Sequence, residues 1–359
     1  MKTLWVDGTP KIFRSSVALS DSIPEFYSCF DSQSFLLTRN PRSDFFVTFN
    51  HNAKSYRQFL DNGGSIDRAV LIRLEPDSVF PAQYTRRTLE KYGFVISPGS
   101  KETRLTAGAQ IGWPYKYHLN PANPVPSDPS LFDILNSEST AQLFVLKNWE
   151  KRGHLLTMVA GNKVSSITTA NYSLRRNLAK SLPQTILEVY GPLWEGSLYK
   201  KIRHRLAVLV ATIKQGTNPN LREIYGNLMD FYPTAKGPII DKHALLQDSK
   251  FSLVIENSNS IVTEKIFDAI INGAIPIYVG PKLNTVGLPL NLAISVSGNP
   301  QEILKVLDKV ESIVAEKHLR ALSEFINSPD FLEHWEAGAV YRQMSLEIIQ
   351  YLSKVDVCN

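Results

Sequence analysis

One stretch constrains this chain more than any other: Phe251–Pro281, FSLVIENSNSIVTEKIFDAIINGAIPIYVGP. It opens on an apolar run, Phe251 to Ile255, short enough for a buried strand. Polar Glu256-Asn257-Ser258-Asn259-Ser260 breaks that run. From Thr263 the spacing becomes helical, with Ile266, Phe267, Ile270 and Ile271 on one stripe. Thr263 is placed as an N-cap, and Asn272-Gly273 supplies the C-terminal stop. A second apolar run, Ala274 to Val279, ends at Gly280-Pro281. Strand, loop, helix, strand is the repeating unit of a parallel α/β sheet.

In open sheets of that kind ligands bind at the carboxyl ends of strands, beside helix N-termini. Glu256, Asn257, Glu264 and Lys265 all fall on that edge. Free backbone N–H groups and the positive end of the helix dipole favour an anion there. Lys265 in the first turn is unfavourable for the helix alone but sensible with a phosphate beside it. Glu264 is suited to accept hydrogen bonds from a sugar or ribose diol. Ordinary capping with a solvated lysine accounts for the same spacing equally well.

The remaining chain fits around this unit. Its 359 residues are comfortable for two domains. A net charge of +5 fits an anionic ligand such as a nucleotide diphosphate, or an anionic membrane surface. Nucleic acid ranks last, because no basic stripe is interleaved with aromatics. Cys29 and Cys358 are too few for a disulfide framework or a cysteine-rich zinc site. The start, MKTLWVDGTPKIF, has no signal-peptide core, and no stretch approaches the ~18 apolar residues of a membrane span. The expected setting is therefore cytoplasmic, with peripheral contact to an inner membrane left open.

In the first half, Lys2 to Asp7, Phe45 to Phe49 and Arg68 to Leu74 read as strands, the last stopped by Glu75-Pro76. Glu75 thus stands extended at a carboxyl end, where it suits a general base as well as an ordinary surface turn. His51, Asn52, Arg73 and Asp77 are second-tier candidates. The aromatic loop Trp113–His118 either stacks on a sugar or simply packs. Pro121 to Pro129 reads as irregular coil, Leu131 to Lys151 as a crossover, and the domain boundary is placed near Trp149.

In the second half, Leu155 to Ala160 reads as a strand turning at Gly161-Asn162-Lys163. Tyr172 to Leu182 reads as a helix with Arg175 and Arg176 in its first turns, and Ile186 to Tyr190 as another strand. An arginine above the sheet edge can hold a diphosphate by a bidentate fork. Lys200-Lys201-Ile202-Arg203-His204-Arg205, followed by apolar Leu206 to Ile213, suits a solvated helix face, the commoner case, or contact with anionic lipid.

Glu-Asn-Ser at 256–258, Val-Thr-Glu-Lys at 262–265 and Gly-Ala-Ile-Pro-Ile-Tyr-Val-Gly-Pro at 273–281 resemble, in order, the donor-binding signature of family 10 α-1,3/1,4-fucosyltransferases. The resemblance spans about Arg68 to Val310 and is concentrated in 251–281. It implies an α/β, GT-B-like fold: two Rossmann-type parallel-sheet domains facing a cleft. The segments would be 1–149 on the acceptor side, 150–330 for the donor, and a terminal helix in 331–359 packing back on the first domain. It implies an inverting, metal-independent enzyme that moves fucose from GDP-fucose to a hydroxyl of an acceptor glycan, with no cofactor. Glu75 would be the base, and Arg175, Asn162, Glu256, Asn257, Glu264 and Lys265 would bind the donor. The spacing of Arg175 to Leu182 matches the family and favours Arg175 over Arg176. One departure is that Ile261 stands where the family carries an aromatic residue in a longer loop. That keeps a different nucleotide sugar in play, and a non-catalytic glycan- or nucleotide-binding protein is the competing class.

No Asp-x-Asp, HExxH, P-loop, GxGxxG or GxSxG occurs, so metal-dependent GT-A transferases, zinc proteases, NTPases, dinucleotide oxidoreductases and serine hydrolases lack support.

Overall fold

The computed structural model describes residues 2–8, 23–33, 35–98, 107–117, 131–195, 198–310 and 312–357. The coil expected at Pro121 to Pro129, and His118 and Cys358, lie outside them. The chain divides into two compact units, Met1–Pro114 with Leu332–Asn359, and Tyr115–Phe331.

The first unit holds a six-stranded sheet of β1 (Lys2–Asp7), β2 (Phe35–Thr38), β3 (Phe45–Phe49), β4 (Ala69–Ile72), β5 (Phe94–Ser97) and β6 (Ala107–Gln110). Its order is β2-β1-β3-β4-β5-β6, with every pairing parallel. Strand β3 shows why the sequence is so apolar there, since all five residues are buried. Side chains alternate between faces. Phe45, Val47 and Phe49 join a core with Phe26 and Phe30 of helix Pro24–Ser32 and with Val340, Met344 and Ile348 of helix Ala337–Val357. Phe46 packs on the other face with Trp5, Phe59 and Tyr92. The C-terminal helix is tied in further by Ser345, whose hydroxyl donates to the carbonyl of Phe26 at 2.7 Å.

The second unit holds β7 (His154–Val159), β8 (Leu187–Tyr190), β9 (Ala235–Gly237), β10 (Ser249–Ile255), β11 (Ile275–Val279) and β12 (Ile294–Ser295). They are ordered β12-β11-β10-β7-β8-β9, again all parallel. The strands and helix expected within 251–281 are present, the helix running Glu264–Ile271 and closed by Asn272 and a left-handed Gly273 (φ 66°). The fold class is thus α/β, with two Rossmann-type parallel sheets.

The boundary near Trp149 is corrected. The second unit already begins at Tyr115. The Tyr115 hydroxyl donates to Asp268 at 3.0 Å. Trp149 packs edge-on to Phe251 and donates through Nε1 to the carbonyl of Lys250 at 2.8 Å. Arg152 clamps the carbonyls of Leu143, Ser249 and Gly273. These bonds tie the end of the crossover segment to the second sheet. Tyr115 and Tyr117 are buried packing residues, with Tyr117 stacked on His243 at 3.9 Å.

His51 provides a pH test of the first unit. Its Nδ1 lies 2.7 Å from the Tyr92 hydroxyl. Burial, reinforced by the Lys91 charge, pulls its pKa down to about 4. The unfolded chain binds this proton from about pH 6.5 downward while the folded chain refuses it, so stability is complete above that pH and lost as pH falls towards 4. The expected loss is on the order of 2–3 kcal/mol. Urea midpoints at pH 7 and 4.5 should therefore differ by less in His51→Gln than in the parent; equal differences would discard His51 as the titrating group.

Candidate functional site

The order of the second sheet locates a site before any side chain is considered. From β7 the chain builds outward through β8 to β9, then returns to the other side of β7 and builds outward through β10, β11 and β12. The switch point lies between β7 and β10, and in such sheets the crevice at their carboxyl ends takes the ligand. A cavity of about 490 Å³ opens there, a size suited to a small-molecule ligand. Its walls come from the end of β7 (Val159, Ala160, Gly161, Lys163), from Arg175, from the end of β8 (Gly191, Pro192), from the segment after β9 (Pro238, Ile239, Ile240, Lys242), and from Asn257, Glu264, Lys265 and Asp268.

Arg175 reaches this wall from the helix Tyr172–Ser181 and is almost completely buried. Its Nη2 donates to the carbonyl of Ile255 at 2.5 Å and to Asn257 Oδ1 at 2.9 Å. Its Nε has no hydrogen-bond partner among the described residues. A buried guanidinium with an unmet N–H is costly, and an oxyanion at this wall would relieve it. Arg176 instead donates to the carbonyl of Lys163 and pairs with Glu223 at 3.1 Å. Helical spacing sends the adjacent arginines to different neighbours, and only Arg175 lines the cavity.

At the start of the helix Glu264–Ile271 the structure departs from a simple cap. Thr263 occupies the N-cap position, but its side chain makes no cap hydrogen bond. Its hydroxyl donates to Glu256 Oε2 at 2.6 Å and accepts from Lys265 Nζ at 2.7 Å. Glu256 is wholly buried; its other oxygen accepts from the Thr263 N–H at 3.1 Å, and Lys265 Nζ lies 3.7 Å from Oε2. Burial raises the Glu256 pKa, and the Lys265 charge opposes that rise. Lys265 also donates to Glu264 Oε1 at 3.3 Å. Burial opposes ionisation of Glu264 too, but the Lys265 and Lys242 charges outweigh it and bring its pKa down to about 2. Lys242 pairs with Asp268 at 2.6 Å. The cavity therefore presents four cations, Lys163, Arg175, Lys242 and Lys265, against two carboxylates, Glu264 and Asp268.

Of the residues expected on the donor, Arg175, Asn257, Glu264 and Lys265 meet on these walls. Glu256 and Asn162 do not. Glu256 stands behind the wall, its oxygens engaged by Thr263, because the chain turns inward after β10. Asn162 holds the β7 turn against the following loop, its N–H on the carbonyl of Pro192 and its Nδ2 on that of Leu193. Sequence reasoning missed Lys242 and Asp268. Asp241 caps the helix Lys242–Gln247 by accepting from the N–H groups of His243 and Ala244, which sets Lys242 at the first helical position, the position that Glu264 holds after Thr263. That parallel was a readable signal.

Glu75 lies in the first unit, beyond the carboxyl end of β4, with its side chain exposed. Its main chain is fixed on both sides. Asn50, held left-handed at φ 59°, accepts from the N–H groups of Leu74 and Glu75, while Gln83 and Tyr84 donate to the Glu75 carbonyl. Asn52 donates to Asp7 at 2.9 Å, joining the ends of β1 and β3.

Gly280 is required by this geometry. A Cβ there would lie 2.3 Å from the Tyr278 hydroxyl and 2.9 Å from Glu256 Cγ. Gly280→Ala should cost about 1–3 kcal/mol of stability, as overpacking does, and displace Glu256 and Lys265. Thermal melting checks the first effect, and a melt unchanged within error would show that the site yields freely.

No protein-family model matches the chain, and no curated protein matches it in sequence. Solved structures do match. An α1,3-fucosyltransferase with GDP superposes at a TM-score of 0.51 and 15% identity, over 99% of this chain and 89% of that one. HepE from Anabaena in complex with UDP gives 0.49 at 10% identity, over 99% and 100%. A glycosyltransferase from Rickettsia africae gives 0.44 at 12% identity, over 98% and 99%. At 15% identity the first of these is a likeness of fold alone, and it agrees with the two parallel-sheet domains of a GT-B type fold.

Proposed function

We propose that the protein is an inverting glycosyltransferase that moves fucose from GDP-fucose to a hydroxyl of an acceptor glycan. The observation that carries the reading is the cation-lined cavity at the switch point of the second sheet, built from the segment that resembles the fucosyltransferase donor signature. In this reading Arg175, Lys163, Lys242 and Lys265 take up the diphosphate charge, which grows as the bond from the anomeric carbon to the phosphate oxygen breaks. Glu264, ionised at neutral pH, accepts hydrogen bonds from ribose or sugar hydroxyls. Asn257 is held by Arg175 to do the same. Glu256 positions Thr263 and Lys265 instead of touching the ligand. Glu75 accepts the acceptor hydroxyl's proton as that oxygen bonds to the anomeric carbon, and the nucleotide diphosphate leaves without needing a second acid. The reaction in this reading needs no metal ion and no further cofactor.

A second reading changes only the donor. Ile261, where the family carries an aromatic residue, is not among the residues that line the cavity; whatever the aromatic contributes to fucose recognition is missing or replaced, which favours a different nucleotide-activated sugar.

Thermal shift against GDP, UDP, CMP, GDP-fucose and GDP-mannose, with and without EDTA, separates the two. A ligand at 100 times its dissociation constant stabilises by about 2.7 kcal/mol. Stabilisation by GDP and most strongly by GDP-fucose, indifferent to EDTA, is the expected result. A shift with UDP or CMP and none with GDP would replace fucose by another sugar nucleotide. Donor binding without hydrolysis or transfer in any acceptor screen would favour the non-catalytic binding class.

A further inference from the structure

We propose that the outer face of the helix Leu198–Lys214 docks the protein onto a membrane surface rich in anionic lipid. This rests on the surface of the second unit and does not depend on what its cavity binds.

The helix has a defined inner side. Arg205 and Thr212 are each 3% exposed, and Arg205 donates to the carbonyl of Ile224 in the neighbouring helix Leu221–Tyr225. Turned away from them, Tyr199, Leu206, Val210 and Ile213 follow at i, i+7, i+11 and i+14, one stripe at 3.6 residues per turn. They are 70%, 48%, 47% and 59% exposed. A solvated helix face does not place four large apolar side chains in a row in water. Lys200, Arg203 and Lys214 are exposed on the turns that border the stripe. Between Glu195 and Glu223 the sequence contains no Asp or Glu at all. An apolar stripe edged by cations is the arrangement of a helix lying in a membrane interface, with the stripe in the acyl boundary and the cations among the headgroups. The helix lies on the surface, since no described helix is long and apolar enough to cross. A second copy fits the face poorly. A two-fold contact would bring the basic edges of the two copies together.

The test is flotation of the full chain with vesicles of phosphatidylcholine alone and of phosphatidylcholine with phosphatidylglycerol, at low and high salt. The parent should float with the anionic vesicles only, and less at high salt. Each basic residue near an anionic surface adds about fivefold to affinity, so the variant carrying Lys200→Gln, Arg203→Gln and Lys214→Gln should partition about a hundredfold less. Leu206→Ser with Ile213→Ser should abolish flotation at either salt. All five side chains are exposed, so both variants should melt with the parent, which separates lost docking from lost folding. The proposal is overturned if the parent does not float with anionic vesicles, or if both variants float as well as it does. It is equally overturned if light scattering gives a dimer in solution that the serine variant dissociates.

Discussion

Glu75→Gln should lower turnover by about a thousandfold, within the range that a positioned general base contributes, while leaving the thermal shift with GDP intact. The substitution keeps the size of the side chain and removes its charge and its ability to accept a proton. The structure makes it a clean test. Bonds to its backbone hold the residue in place: its N–H to Asn50, its carbonyl from Gln83 and Tyr84. Substitution of an exposed side chain usually changes stability by no more than about 0.5 kcal/mol. Steady-state kinetics with a fixed acceptor, alongside melting with and without GDP, reads both quantities. A turnover within a few-fold of the parent would remove Glu75 from the chemistry. Loss of both turnover and the GDP shift would point to a damaged fold, which the melt of the free protein would reveal.

Lys265→Ala should be the most damaging single change in the second unit, and it should act twice. Lys265 neutralises Glu256, which has no exposed surface, and shares Thr263 with it. Removing one partner of a buried pair typically costs 3–5 kcal/mol. Here about 3 kcal/mol is expected, because Glu256 keeps both bonds from Thr263 and can protonate. The second effect is on the ligand, through the loss of a cation from the cavity wall. Pairing Lys265→Met with Glu256→Gln separates the two effects. The double variant removes the buried charge and should recover most of the melting temperature without restoring the GDP shift. If the single variant melts like the parent, the buried pair is not stabilising. If the double variant regains GDP binding, Lys265 is not a ligand contact.

Much of the architecture was legible because its signals are local. An apolar run such as Phe251 to Ile255 suits a buried strand of a parallel sheet, and the helical spacing that starts at Thr263 marks where strand gives way to helix. β1 and β3 fall on the expected residues for the same reason. Arg175, Asn257, Glu264 and Lys265 were reachable too, since the strand-end rule needs only the order of elements along the chain.

The strand order was not legible. Nothing local states that β10 returns beside β7 and not beside β9, yet that choice makes the switch point and so brings Lys163, Arg175 and Lys242 to the cavity that Lys265 lines. Direction within a turn was equally hidden. Glu256 and Asn257 are adjacent and both polar, but tertiary packing buries the first behind Thr263 and leaves the second on the wall. The boundary near Trp149 differs for a related reason: proline-rich coil and a crossover read as the end of the first domain, while long-range bonds from Tyr115, Trp149 and Arg152 attach what flanks that coil to the second sheet. The sequence by itself determined which residues become strands and helices, because side-chain periodicity is a property of neighbours along the chain. Which of those residues face a ligand was decided only by the tertiary structure, because strand order and burial are set by contacts between segments a hundred or more residues apart.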